Sequence, residues 1–310
     1  MSICEVYKAM ADESRLRLLF ILSQGQFNVQ ELTSILQLSQ STVSHHLKAL
    51  LHAGFASTKK EGTWVYYRLA EANTLSVQVT NGFLSYLEAS PDDDFHKTLS
   101  NDTKHLGDVL HLRRIRAKDY FETVAKDWNT VRDQAQGTES FIGSIYDLIP
   151  SAETLLELGC GSGAVLKQLL PREGKTIGVD YSEAMIEEAK KNLQEAKPKV
   201  DLRLGSLEHL PLGDNTVDTA LAYMVFHHVA EPSLALQDAA RVLRPGGKLV
   251  IVDLLEHEND RMREQYADLW LGFCPEQFTS WVKHAGFNSV STEVLGEHKD
   301  VFLLTASATS

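Results

Sequence analysis

Glycine recurs at every second position of Glu157-Leu-Gly-Cys-Gly-Ser-Gly163, directly after the apolar run that begins at Thr154. Glycines in such a place let the backbone turn sharply out of a strand and come close to a ligand. A second apolar run, Thr176-Ile-Gly-Val-Asp180, ends in an acid. An acid at the tip of the second strand can accept both ribose hydroxyls of a nucleoside. A glycine loop alone fits any dinucleotide fold, but the NAD fingerprint is G-x-G-x-x-G, whereas Gly159, Gly161 and Gly163 alternate strictly.

A different chemistry is offered by Gln40-Ser-Thr-Val-Ser-His-His-Leu-Lys-Ala-Leu-Leu-His52. At about 100° per residue, Val43, Leu47 and Leu50 fall on one buried stripe of a helix. Ser41, Ser44, His45, Lys48 and His52 gather on the other side, with Gln40 at its start. Hydroxyls, amides, imidazoles and a cation suit major-groove edges and phosphates, although an ordinary solvated face has the same composition. The segment after this helix favours the first reading. Two β-rich arms from Phe55 to Leu69 flank a compact turn at Glu61-Gly62, with Lys59 and Lys60 near its tip. Lysines there can reach phosphates beside a groove that the helix enters.

The elements that must hold these residues are legible at both ends. Val6 to Leu22 carries apolar residues at helical spacing and reads as one or two helices. Asn28, with Glu31 three positions on, caps a short helix through Leu36. Gln37-Leu38-Ser39 is a tight turn and Ser39 caps the next helix, which gives a helix-turn-helix followed by a basic hairpin. Ala89-Ser-Pro-Asp-Asp-Asp94 is a hinge by composition. Residues 95–118 read as a polar helix, where the group Arg113, Arg114, Arg116 and Lys118 is more often a solvated linker face than a DNA contact. From Thr154 onward buried strands alternate with helices, the pattern of a parallel α/β sheet.

The stretch LSQSTVSHHLKALLHAGF followed by KKEGTWVYYRL resembles the ArsR-type family of bacterial repressors over roughly residues 3–90. The resemblance implies a homodimer built on the first and last helices of this module, binding an inverted repeat in double-stranded DNA. Many members of that family sense metals through cysteines before the turn, or through Asp/His sets in the last helix. Here Gln26 to Glu31 has no Cys, and Asn73 to Ser90 has neither Cys nor His, so no metal site is expected there.

Four features in order, Glu157-x-Gly-x-Gly-x-Gly163, Asp180-Tyr-Ser182, Leu204-Gly-Ser-Leu-Glu-His-Leu-Pro211, and Val217–Tyr223 joined to Leu243–Asp253, resemble class I S-adenosylmethionine-dependent methyltransferases over roughly residues 118–310. This resemblance implies that Gly159, Gly161 and Gly163 lie under the methionine moiety and ribose. Asp180 would hold the ribose and Tyr181 would lie beside the adenine. Ser206 and Leu207 would meet the adenine amino edge, and Tyr223 would stand at the mouth. Most members have Asp where Ser206 stands, and a hydroxyl is the weaker acceptor. His227-His228 follows the fourth strand, where a catalytic base could sit, though histidines there more often serve structure; Asp253 is open to either role. No catalytic residue is assigned.

The expected architecture is therefore α/β: an ArsR-type winged helix over 1–90, a linker helix over 91–117, and a Rossmann-like methyltransferase domain over 118–310. Composition agrees, with 43% hydrophobic and 23% charged residues. The first ninety residues balance seven Lys/Arg against seven Asp/Glu, so the whole net charge of −12 falls on the rest. No apolar run reaches the ~20 residues of a membrane span, and the first residues lack a signal-peptide pattern. Cys4, Cys160 and Cys274 stand far apart, which suits a reducing cytoplasm and neither a disulfide framework nor the converging thiols that arsenic methylation needs.

The fusion resembles S-adenosylhomocysteine-responsive repressors of methionine-cycle genes. In that reading the cofactor pocket has become a sensor for S-adenosylhomocysteine or S-adenosylmethionine, and the ligand shifts the DNA-competent population. The alternative is an active small-molecule methyltransferase carrying its own DNA-binding domain.

Overall fold

The computed structural model describes all residues except 1–2, 62–63, 71–73, 90–93, 129, 132–140, 152, 197–198, 260, 297–299 and 310. Gly62 of the hairpin turn and residues 91–93 of the hinge lie outside the described residues. The chain divides into two units, Met1–Leu112 and Arg113–Ser310.

In the first unit, α1 (Ile3–Met10) and α2 (Glu13–Ser23) share the segment read as one or two helices. A short strand β1 (Phe27–Asn28) leads into α3 (Val29–Leu36). The capping box is formed: Asn28 Oδ1 accepts from the Glu31 N–H at 3.0 Å, and Glu31 accepts from the Asn28 N–H at 2.9 Å. Gln37 takes a left-handed φ of 54°, which reverses the chain into α4 (Gln40–His52). Ser39 caps that helix by accepting from the Thr42 N–H at 3.2 Å. Val43, Leu47 and Leu50 are fully buried, as are Leu18, Leu22 and Leu32 of α2 and α3.

Strands β2 (Ala56–Glu61) and β3 (Trp64–Leu69) pair antiparallel and form a sheet in the order β1-β3-β2. Helix α5 (Leu75–Ala89) follows, its Ser76 hydroxyl donating to the Ala53 carbonyl at 2.6 Å. The long helix α6 runs over Asp94–Val124, well beyond the linker read from sequence. Within the first unit, Asp102 on α6 accepts twice from the Arg17 guanidinium, both at 2.7 Å, with Asp102 only 1% exposed.

The second unit begins with the end of α6 and a helical turn at Ala125–Asp127, followed by α7 (Ile142–Tyr146). Its sheet comprises β4 (Leu155–Leu158), β5 (Thr176–Asp180), β6 (Asp201–Leu204), β7 (Val217–Tyr223), β8 (Leu243–Leu254), β9 (Phe287–Leu295) and β10 (Val301–Ala308). The order is β6-β5-β4-β7-β8-β10-β9, parallel from β6 through β8 and antiparallel at β10 and β9. Helices α8 (Ala164–Leu169), α9 (Glu183–Asn192), α10 (Pro232–Val242), α11 (Arg261–Tyr266) and α12 (Pro275–His284) complete it. Strand order reverses between β4 and β7, so the loops after these two strands border the crevice where open α/β sheets take their ligands.

The group Arg113 to Lys118 is not a uniformly solvated face. Arg113 is buried, and Arg114 pairs with Glu231 at 2.8 Å, while Arg116 and Lys118 are exposed.

Candidate functional site

The loop after β4 takes its shape from its glycines. Gly159, Gly161 and Gly163 have φ of +68°, +49° and +74°, which L side chains adopt only at a cost. A Cβ on Gly159 would collide with the Val225 side chain of the facing loop. Gly163 departs from its expected role. It does not line the crevice, and a Cβ there would meet Leu193 at 2.8 Å, so it serves the packing of the loop on α9.

The crevice holds about 970 Å³ of non-protein space, its open mouth included. Glu157, Gly159, Gly161, Asp180, Tyr181, Ser206, Leu207 and Tyr223, the candidate cofactor-binding residues other than Gly163, all line it. Arg114, Phe121, Trp128 and Glu208, to which the sequence reading gave no place in the site, line it too, as does His228, one of the two histidines it weighed as a base. Phe121 forms an aromatic hub, with ring centroids 5.1 Å from Trp128, 6.1 Å from Tyr181 and 4.8 Å from His228. Neighbouring Glu122 fixes this end of α6, accepting from the Glu183 and Ala184 N–H groups at 2.8 and 3.1 Å, an acid at the start of α9.

Asp180 stands at the tip of β5, 6% exposed, and accepts from the N–H groups of Gly161 and Ser182, each at 2.9 Å. The Tyr181 N–H also bonds it. A carboxylate offers roughly four acceptor directions, so these bonds leave room for a ligand hydroxyl. Burial pushes Asp180 up to about 6 despite these N–H groups. Glu157, 1% exposed, has no hydrogen-bond partner at Oε2, and burial followed by the charge of Asp180 pushes its carboxyl well above the usual range. Such an orphaned polar atom beside a glycine cradle fits a ligand that brings its own polar group. Burial, Asp180 and Glu157 likewise push the Cys160 thiol up, so it is not a thiolate nucleophile.

At the far side Ser206 does not stand alone. Its hydroxyl bonds the Glu208 carboxylate and accepts from the Glu208 N–H at 3.2 Å. Glu208 is 6% exposed, with Arg114 Nε at 3.8 Å from its other oxygen. A carboxylate thus stands beside Ser206, two residues along. At the mouth, Tyr223 accepts at its hydroxyl from the Phe141 N–H at 3.0 Å.

Beyond His228 the wall contains a buried polar group. His227 Nδ1 bonds Asp253 Oδ1 at 2.7 Å, while Asp253 Oδ2 accepts from the Val225 and Phe226 N–H groups. This is a structural anchor for the loop after β7. Asp268, 3% exposed, lies with its Oδ1 3.6 Å from His228 Nδ1, and burial pushes it up to about 7. No spacing in the sequence announced Asp268; a loop after α11 carries it in.

In the first unit Gln40, Ser41, Ser44, His45, Lys48 and His52 of α4 lie opposite the buried stripe, all reached by solvent. Lys60 is exposed as well. Lys59 is a correction, since it is only 9% exposed. Its cross-strand partner is Tyr66, itself buried, and directly opposed residues share a face of the sheet. Of the two lysines, Lys60 is the one presented to solvent.

Residues 12–58 match the family described as bacterial regulatory protein, arsR family, and residues 156–251 match the methyltransferase domain family. The chain is 33% identical over 184 residues to an uncharacterized 37.1 kDa protein in transposon TN4556 of Streptomyces fradiae, a match covering 57% of this chain and 50% of that protein. It is 31% identical over 143 residues to an arsenite methyltransferase of Halobacterium salinarum, covering 44% of this chain and 37% of that one. A match to an uncharacterized methyltransferase of Mycobacterium bovis is also 31% identical, over 153 residues, 44% of this chain and 58% of that one. The chain therefore spans from about a third to under two thirds of these relatives' lengths.

Among solved structures, a putative methyltransferase in complex with the Haloferax volcanii Trm112 methyltransferase activator aligns with a TM-score of 0.53 and 19% identity, over 61% of this chain and 98% of that one. The [4+2]-cyclase SpnF aligns with the same TM-score and 18% identity, over 62% and 94%. The second unit has the Rossmann-like class I methyltransferase fold. The chain as a whole joins an ArsR-family helix-turn-helix domain to a methyltransferase domain. Among the described residues no helix is long and apolar enough to cross a membrane.

Proposed function

We propose that this chain is a cytoplasmic DNA-binding transcriptional regulator, a repressor of methionine- and S-adenosylmethionine-cycle genes, whose second unit senses S-adenosylhomocysteine or S-adenosylmethionine. The observation that carries this reading is the occurrence, in one chain, of an exposed polar helix in an ArsR-family domain and a glycine-cradled pocket in a methyltransferase-fold domain. Gln40, Ser41, Ser44, His45, Lys48 and Lys60 supply the DNA-facing groups. Asp180 takes a ribose hydroxyl, Phe121 and Tyr181 flank the base, and Glu208 beside Ser206 accepts from the adenine amino group. Glu157 meets the polar end of the ligand.

A homodimer on an inverted repeat is supported by apolar side chains left exposed on α1 and α5, namely Ile3, Tyr7, Leu75 and Tyr86. S-adenosylhomocysteine is the stronger effector in this reading. The sulfonium of the methyl donor carries a positive charge and one more methyl group, which a pocket closing tightly at sulfur excludes.

The second reading, an active methyltransferase with a fused DNA-binding domain, is favoured by the match to a protein named arsenite methyltransferase. Arsenite itself is a poor candidate substrate. Cys160 alone of the cysteines lines the pocket, and its thiol stays protonated. One pair of measurements separates the readings: binding of a DNA fragment selected by the protein from a random pool, titrated with each nucleoside at fixed salt, and methyl-donor turnover. The sensor reading expects a shift of about 5–150-fold in DNA affinity, the range of a typical coupling energy, larger for S-adenosylhomocysteine. No shift with either nucleoside overturns it, and turnover without a shift establishes the enzyme.

A further inference from the structure

Among the described residues, His227 Nε2 and both carboxylate oxygens of Asp268 are buried and lack hydrogen-bond partners, and His228 stands beside them. The exposures are 0% for His227, 9% for His228 and 3% for Asp268. One ligand atom from each of the three lies within 4.8 Å of the others. An acceptor-only carboxylate and an imidazole lone pair facing each other in an enclosed place repel, unless a proton or a cation lies between them.

The tautomer of His227 favours the cation. Asp253 Oδ1, 2.7 Å from His227 Nδ1, favours the proton on that nitrogen, and the neutral imidazole then presents its lone pair at Nε2. A carboxylate behind an imidazole is the arrangement that orients metal-bound histidines. The spacing agrees. A tetrahedral ion with bonds of about 2.0–2.2 Å holds its ligands roughly 3.3–3.6 Å apart, and His228 Nδ1 is 3.6 Å from Asp268 Oδ1, beyond hydrogen-bonding reach. The contact of His228 Nδ1 with the Ala267 carbonyl, at 3.4 Å, is at the outer limit of a hydrogen bond and can yield to a metal.

The backbone holds these groups together. Ala267 takes a left-handed φ of 59° immediately before Asp268. The N–H groups of Leu269 and Trp270 both bond the His227 carbonyl, at 2.8 and 3.0 Å, which ties the Asp268 loop to the turn carrying the histidines. Asp253 adds negative charge to the group and Arg263 adds positive charge. Two carboxylates and one guanidinium leave a net negative charge, which attracts a dipositive ion.

We propose that His227, His228 and Asp268 bind a divalent first-row transition-metal ion, zinc or a neighbour of zinc, in the wall of the nucleoside pocket. Two imidazoles and one carboxylate form a donor set that suits such ions better than magnesium or calcium. His228 belongs to both the metal group and the pocket lining, so an ion here sets the position of one pocket side chain. This proposal stands whether the pocket serves sensing or methyl transfer.

The test uses the full chain, stripped with a chelator and titrated with Co²⁺ and then Zn²⁺. The expected result is one tight equivalent of Co²⁺ with d–d absorption in the visible, displaced by Zn²⁺, and a rise in the thermal midpoint with Zn²⁺. Asp268→Asn keeps the shape of the side chain, and His228→Gln removes one imidazole; each should abolish the absorption and the midpoint shift while circular dichroism stays that of the wild type. Absence of tight binding by the wild type overturns the proposal. So does an unchanged Co²⁺ spectrum in Asp268→Asn, which would place the ion elsewhere.

Discussion

Asp180 accepts from the Gly161 N–H at 2.9 Å, and this bond joins the tip of one strand to the glycine loop of its neighbour. The carboxylate therefore shapes the loop as well as facing a ligand. Asp180→Ala should weaken S-adenosylhomocysteine binding by about 1.5–3 kcal/mol per lost charge-assisted bond, measured by calorimetry. Its titration adds a second readout. The folded value of about 6 lies above the ordinary 3.8, so the folded state holds the proton more tightly. The resulting stability is full below about pH 4 and is lost as pH rises through about 6, by roughly 3 kcal/mol at most. Glu157, Cys160, Tyr181 and Glu122 face the same carboxyl. In urea unfolding of the ligand-free protein, followed by fluorescence of Trp128, Trp270 and Trp281, Asp180→Asn should flatten this slope.

Gly159→Ala tests the loop itself. A φ of +68° costs an L residue about 1–2 kcal/mol, and the new methyl collides with Val225. The variant should lose nucleoside binding and unfold earlier in its second unit. Combining it with Val225→Ala should recover part of the stability, because the clash is relieved and the φ cost is not. Equal stability of the single and double variants would show that Val225 is not the obstacle.

Glu208 should determine base identity. Wild-type protein is expected to prefer S-adenosylhomocysteine over its inosine analogue, which has a carbonyl oxygen where adenine has its amino group. A buried carboxylate facing that oxygen costs about 1–3 kcal/mol. Glu208→Gln can donate as well as accept, and should narrow or reverse the preference. An unchanged ratio of affinities would remove Glu208 from the adenine contact.

On the DNA side, His45→Ala and Lys48→Ala should each weaken binding to a selected fragment by about 1–3 kcal/mol where a base contact is lost. Lys60→Ala should lower the salt slope by about 1 without altering sequence preference. Lys59→Ala should act on folding of the hairpin instead, because that side chain is turned inward beside Tyr66. Fluorescence anisotropy across a salt series reads all four variants.

The contrast between Lys59 and Lys60 shows where sequence reading stops. Their position in a hairpin was legible from turn residues and β-rich arms, but which of them faces solvent depends on register with Tyr66, a tertiary fact. Asn28 and Ser39 were legible as caps because capping is a local bond. Glu157, Asp180 and Tyr223 were legible because each lies at or near the end of a strand whose partners follow in order. Phe121, Trp128 and Asp268 were not. They arrive from segments outside the strand-loop pattern, and only packing carries Phe121 and Trp128 to the crevice and Asp268 to the far side of His228. Glu208 stands two residues from Ser206 in the same motif, and only the folded loop shows their side chains bonded.

The Arg17–Asp102 pair bears on how the DNA-binding part can be cut free. A fragment ending at residue 90, the boundary that the sequence suggests, would strip Asp102 from Arg17, a guanidinium that also donates to the Leu36 carbonyl at 2.7 Å. Breaking a buried pair on one side costs about 3–5 kcal/mol, a large share of what holds a small domain together. A protease that nicks the chain before Asp102 should therefore release an unstable piece, whereas a fragment through Leu112 keeps the clasp shut and should survive digestion.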